Sequence, residues 1–169
     1  MSVLLRSELL DEVNLRILDI LSQDASRPFV DIAKELEISD ATVHIRVKRL
    51  QAAGILRKFT ITTDNVLLGY DHLAFVGINI SKDSVQEVLI ALSQLDDILE
   101  LHEMYGQFDL LVKIRARNLE EMRDILVNRI GRIPQIVNAQ SMMVLKTIKE
   151  EHMMSLKRDI ADATNAAAT

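Results

Sequence analysis

The sequence predicts an α+β chain in two parts: a small N-terminal helical module with a basic hairpin, then an antiparallel sheet with two helices. Three observations carry that reading. Residues 28–54, PFVDIAKELEISDATVHIRVKRLQAAG, hold two short helical patterns with a tight break at Glu37–Ser39. Between Ala41 and Thr63 there are five cations (Arg46, Lys48, Arg49, Arg57, Lys58) and no acid. Beyond Tyr70 the patterning changes to strand, helix, strand, strand, helix, strand.

The N-terminal module begins with a helix predicted over Leu10–Gln23, where Leu10, Val13, Ile17, Leu18 and Leu21 recur at helical spacing. Asp24–Arg27 is a polar break, and Pro28 suits the start of the next helix. That second helix places Val30, Ala33 and Leu36 on one side. The third carries Val43, Val47 and Leu50 on one face, with Ser39 as its N-cap, Asp40 at its positive end and Gly54 as its stop. Two helices this short need the first one to cover them. Ile55, Leu56, Phe59 and Ile61 then read as strand, with Arg57 and Lys58 outward. Three helices and a short basic hairpin make a winged helix-turn-helix.

With Val43 facing inward, Ile45 points almost directly outward. His44, Lys48 and Arg49 flank it, and Ser39 and Thr42 lie at its N-terminal edge. A solvated charged face is the plain alternative. Hydroxyl, imidazole, aliphatic and cationic groups on one convex ridge suit a DNA major groove better, where cations meet phosphates and guanine edges and an aliphatic group meets a thymine methyl. Ser39, Thr42, His44, Ile45, Lys48, Arg49, Arg57 and Lys58 are therefore the candidate DNA-binding residues. Arg46 lies nearer the buried side and is expected to be a structural ion-pair partner.

Asp64–Asp71 reads as a linker turning at Gly69. Strands are predicted at Leu73–Ile80, Ile98–Tyr105, Phe108–Ala116 and Ile136–Ile148, with a tight turn at Gly106-Gln107. A helix over Ser84–Leu95 presents Val85, Val88, Leu89, Leu92 and Leu95, with Ser84 near its cap. A second, capped by Asn118, carries Leu119, Met122, Ile125, Leu126 and Ile130. The order βαββαβ is ferredoxin-like, an antiparallel four-stranded sheet with both helices on one face. The other face is expected to be apolar through Val76, Leu111 and Met142, and a second copy is its simplest cover. The expected layout is a DNA-binding domain at residues 1–64, a ferredoxin-like dimerisation domain at 65–149, and a C-terminal extension at 150–169. In that extension Met153, Leu156 and Ile160 align on a short helix, and ATNAAAT at the end is expected to fray.

Composition excludes several classes. The 169 residues are 49% hydrophobic and 27% charged, ordinary for a soluble protein. There is no cysteine, hence no disulfide and no Cys-based zinc site, which fits a reducing cytoplasm. The N-terminus has no signal-like apolar region, and no apolar run approaches membrane-spanning length. His44, His72, His102 and His152 lack metal-ligand spacing, and no phosphate-loop, dinucleotide or nucleophile-elbow motif occurs, so no metal, cofactor or catalytic residue is expected. Net charge is −5, but residues 1–60 hold 9 basic and 9 acidic side chains, which leaves the whole excess of acid in the remainder. Local field sets phosphate affinity.

Leu10-Asp11, Ile17-Leu18, Asp24, Arg27, Ile32-Ala33, Ile38-Ser39, Thr42-Val43, Arg46, Arg49-Leu50, Gly54-Ile55 and Leu68-Gly69 together resemble the Lrp/AsnC (leucine-responsive, feast/famine) transcription regulators. The resemblance runs from about Leu10 to Lys149. Asn14 departs from it where the family often has Asp, which should alter a helix contact and not the function. The resemblance implies sequence-specific binding of double-stranded DNA, modulated by an amino-acid effector at Gly106-x-x-Asp109. There the aspartate receives the ligand's ammonium and turn backbone groups hold its carboxylate, in a pocket where two dimers meet within a ring of four dimers, an octamer. His102, Met104 and Tyr105 would shape the wall. Ungapped alignment of the last strand puts Ser141 on one of two ligand-facing threonines and Ala139 on the other, a departure that leaves effector identity open. Without the resemblance, Gly106 and Asp109 read as an ordinary hairpin turn. Two other readings share the build: a tetrapyrrole (siroheme-type) decarboxylase using His102, and an architectural DNA binder that senses no ligand.

Overall fold

The computed structural model describes residues 9–81, 85–151 and 153–167; the expected cap at Ser84, and His152, lie outside them. The chain divides into two units. One groups the helices up to residue 62 with the C-terminal segment from residue 150; the other is Thr63–Lys149.

In the first unit, α1 (Glu12–Gln23) starts after Asp11, whose carboxylate accepts from the Asn14 amide at 2.7 Å. α2 (Phe29–Glu35) follows Pro28, and α3 (Asp40–Ala52) follows Ser39, whose hydroxyl accepts from the Thr42 amide at 3.1 Å. Ile17, Ile20, Leu21, Ile32, Ala33, Val43 and Val47 form the core, with Leu36, Ile38 and Leu56 packed at its edge. The break between α2 and α3 closes by two backbone bonds. Ile38 N–H reaches the Ala33 carbonyl at 3.0 Å and Glu37 N–H the Lys34 carbonyl at 3.3 Å. That geometry needs a left-handed residue, and Glu37 takes it at φ 55°, where glycine is usual. The same arrangement ends α3: Gly54 sits at φ 72°, and Ile55 N–H bonds the Leu50 carbonyl at 3.0 Å.

Two expectations fail here. Residues 57–64 form no strand ladder, so in place of the hairpin stands an exposed segment without regular secondary structure. It has no second strand of its own to pair with and no tight-turn residues to close one, and an isolated hairpin is marginal in water. Of the tail expected to fray, residues 163–167 belong instead to α4 (Lys157–Ala167), which packs against α1, and 168–169 lie outside the described residues.

The second unit opens with a turn at residues 65–69 that Gly69 closes at φ 85°. Its sheet comprises β1 (His72–Ile80), β2 (Ile98–Glu103), β3 (Leu110–Ala116) and β4 (Ile136–Met143), all antiparallel in the order β2-β3-β1-β4. α5 (Val85–Ser93) lies between β1 and β2 in sequence. α6 (Leu119–Asp124) starts with its Glu121 amide capped by Asn118 at 2.8 Å and continues as a π-helical turn, Ile125–Ile130. Ala74, Val76, Ile78, Val112 and Ile114 from the sheet meet Val88, Leu92, Met122, Ile125 and Ile130 from the helices in one core. The π turn brings Ile125 and Ile130, five apart, to the same interior.

Four details correct the sequence reading. Val76 is fully buried against the helices and lies off the open face. It pairs with Val112, and Gly77 pairs with Leu111, so parity assigns Leu111 and Phe75 to the open side. Leu119 is 65% exposed, since it begins its helix before the inward stripe of Met122 and Ile125. β4 ends at Met143, opposite Ala74; one further bond, Val144 N–H to the Leu73 carbonyl at 2.9 Å, follows it, and β1 itself begins at His72, so nothing there extends the ladder to Ile148. β2 and β3 stop at Glu103 and Leu110, so their connection is the six-residue loop Met104–Asp109 rather than a two-residue turn.

Candidate functional site

In the first unit the core stripe of α3 turns the opposite side to solvent. Ile45 is 53% exposed, and Lys48 and Arg49 are exposed beside it. Arg57 and Lys58 are exposed on the segment that follows. Among the described residues none of these four cations has a carboxylate within ion-pair distance, so their charge is available to an anion. Thr42 is half-buried, with its hydroxyl 2.7 Å from that of Ser39, so both hydroxyls are held at the helix start. The His44 ring stands edge-on to Phe29 with centroids 4.8 Å apart, and its Nε2 lies 3.8 Å from Asp40. Arg46 turns the other way: it donates to Asp11 at 2.6 Å and to the buried Asn14 side chain at 3.0 Å. It is the structural ion-pair partner its helical position predicts. Asn14 in turn donates to the Leu9 carbonyl at 3.0 Å.

In the second unit the loop Met104–Asp109 is anchored at its C-terminal side. Asp109 N–H bonds the Ile78 carbonyl, and its Oδ2 accepts from the Ile80 amide, both at 2.9 Å. Its other carboxylate oxygen has no protein partner among the described residues, and the residue is exposed. Met104 N–H closes the loop on the Asp109 carbonyl at 2.8 Å. The Asn79 side chain donates to the Gln107 carbonyl at 2.9 Å. Phe108 lies against Gly77 of β1, where an added Cβ would stand 2.4–2.6 Å from its ring. Gly106 has φ 152° and open space around it, and Tyr105 projects fully into solvent.

The remaining expected ligand residues are not gathered at this loop by one chain. His102 lies on the open sheet face, 3.4 Å from Glu100, which also accepts from the 7%-exposed Lys113 at 2.9 Å. The Lys113 bond foremost, then His102, holds the Glu100 carboxyl below its ordinary range. Ser141 sits on β4, paired with Val76, at the sheet edge opposite β2. Strand geometry puts it about 14 Å from the loop residues that adjoin Asn79, two strands across and three residues along. The sequence reading missed Gly77, Phe108 and Asn79. A glycine inside a strand is the one signal that points to such a close approach.

Among the described residues no group of His, Asp or Glu is arranged to hold a metal, and no helix is long and apolar enough to cross a membrane. Residues 10–51 match the family model of the AsnC-type helix-turn-helix domain, and residues 73–154 that of the Lrp/AsnC ligand binding domain. The HTH-type transcriptional regulator FL11 of Pyrococcus abyssi is 38% identical over 148 residues, 88% of this chain and 97% of that protein. The regulator Ptr1 of Methanocaldococcus jannaschii is 32% identical over 88% of this chain and 100% of its own. Escherichia coli AsnC superposes with a TM-score of 0.80 at 27% identity, covering 85% and 97% of the two chains. A Neisseria meningitidis transcriptional regulator solved with L-Met shares the fold, with a TM-score of 0.82 at 21% identity over 88% and 97%.

Proposed function

The chain belongs to the Lrp/AsnC family of transcription regulators, and from that premise we propose a specific DNA reader switched by an amino acid. The observation that carries the first half is the convex face of α3, where Lys48 and Arg49, without an ion-pair partner among the described residues, flank exposed Ile45, with Arg57 and Lys58 exposed on the segment that follows. Cations position the helix on phosphates, and Ile45 and the helix-start hydroxyls meet base edges. The family assignment favours regulation over the tetrapyrrole decarboxylase.

The effector site is the loop Met104–Asp109. The free oxygen of Asp109 receives an ammonium, and loop N–H groups around Gly106 receive a carboxylate. That the related Neisseria regulator was solved with L-Met supports this ligand class. Because Ser141 lies far from the loop in one chain, it takes part only if another copy supplies it, which fits a homodimer assembling further into a ring of four dimers. Residues 1–64 serve as the reading domain and 65–149 as the pairing and sensing domain, in a cytoplasmic protein without catalytic residues.

Gel shifts on the protein's own promoter, over a salt series and with each amino acid, test both halves. Specific DNA should bind more tightly than random DNA, and at least one amino acid should change that affinity. Asp109→Asn keeps an acceptor for the Ile80 amide but loses the charge, so it should retain fold and DNA binding while losing the effector's thermal shift. Unchanged effector affinity in Asp109→Asn would place the pocket elsewhere.

A further inference from the structure

The segment bearing Arg57 and Lys58 has no strand ladder, and among the described residues no backbone bond of residues 57–63 holds it beside α3. It is anchored on both flanks instead. Leu56 packs against the helical core and its N–H bonds the Leu50 carbonyl at 3.1 Å. Phe59 stands 6.5 Å, centroid to centroid, from Phe29, whose ring meets the His44 edge at 4.8 Å. The ring of Phe29, at the start of α2, thus joins α3 to the following segment. The two cations lie between the Leu56 and Phe59 anchors, and Phe59 stays 42% exposed, more than core packing alone would leave.

We propose that Phe29 and Phe59 are positioning residues for DNA binding, an aromatic clamp that stands in for a hairpin and presents Arg57 and Lys58 to the phosphates beside α3. The clamp touches no DNA itself. Fixing such residues in one conformation costs entropy at every binding event unless it is met in advance, and ring contacts between Phe29 and Phe59 meet it in the free protein. His44 serves it from the α3 side, so part of its ring is committed to Phe29. The inference rests on the DNA-reading face proposed above and adds how half of that face is held.

The test is the salt dependence of DNA affinity in the full chain, compared among Phe59→Ala, Phe59→Tyr, Phe29→Leu, the double variant Arg57→Ala/Lys58→Ala, the triple variant that adds Phe59→Ala to it, and Lys48→Ala. Each phosphate contact contributes about 0.9 to the slope of log affinity against log salt, so the double variant should flatten it by about 1.8. Phe59→Ala should flatten it by a similar amount with little loss of thermal stability, and Phe29→Leu, which keeps apolar bulk in the core, should do the same. Phe59→Tyr should restore the parent slope. The triple variant should be no flatter than the double, since the cations act through the clamp. A parent-like slope in Phe59→Ala beside a flattened one in the double variant overturns the clamp and leaves the DNA face intact. A triple variant that adds both losses overturns it too, because anchor and cations would then act independently. Parent slopes in both the double variant and Lys48→Ala overturn the DNA face itself, and the clamp with it.

Discussion

Arg46 takes the role that its place near the buried side of α3 implies, and its partners make it costly to replace. It bonds Asp11, the cap of α1, and the side-chain oxygen of Asn14, which is 5% exposed. Arg46→Ala leaves that buried oxygen unpaired, a loss of about 1–3 kcal/mol, so the urea midpoint should fall. The salt slope of DNA binding should stay put, because Arg46 does not face the groove; a flatter slope would move it to the reading surface. Gly77 has a comparable part in the second unit. An alanine there meets the Phe108 ring, which must shift, and overpacking of this kind costs about 1–3 kcal/mol. Gly77→Ala should fold yet weaken effector binding by displacing the loop; parent-like effector affinity would separate Phe108 from the site.

At the scale of elements, the helix breaks were legible because caps and stops are local chemistry. Ser39, Asn118 and Gly54 all stand where the pattern ends, and each makes the bond its position requires. Glu37 is the exception, a side chain held in the left-handed region inside the turn of the helix pair. Left-handed backbone costs an L-residue about 1–2 kcal/mol, part of which glycine returns as unfolded-state entropy. Glu37→Gly should therefore raise the melting temperature by a few degrees without changing DNA specificity. A lower melting temperature would mean that the Glu37 side chain contributes more than its backbone strain removes. The basic hairpin was misread because alternation marks a segment able to pair, while pairing needs a second strand at the right distance.

For the whole molecule, the open sheet face is the feature that asks for a partner. Phe75 and Leu111 are half-buried there and Met142 is 40% exposed, around the Glu100, Lys113 and His102 group. The face is more charged than the expectation of an apolar surface, yet Phe75 pairs directly with Met142, and Leu111, opposite Gly77, lies diagonally across from Phe75. The chain should sediment as a dimer at micromolar concentration, and Met142→Glu should shift it toward monomer by burying a charge in the contact. A dimer unaffected by Met142→Glu would put the interface on another surface. A further feature at this scale is that α4, which follows the sheet in sequence, packs on α1, so the first unit combines segments from before and after the second.

By itself the sequence determined the periodic and the local: which segments are helical, where they are capped, the βαββαβ order, the family, and the outward set of Ile45, Lys48 and Arg49. These follow from side-chain spacing and from bonds within a few residues, which need no knowledge of distant chain. Only the tertiary structure decided which side of β1 Val76 takes, because strand register is a relation between segments and a one-residue difference exchanges the faces. It also decided that Phe108 rests on Gly77, that Asp109 divides its carboxylate between the Ile80 amide and solvent, and that Ser141 lies at the far edge of the sheet. Those contacts join residues about 30 apart or more in sequence, and their geometry exists only once the strands are laid side by side.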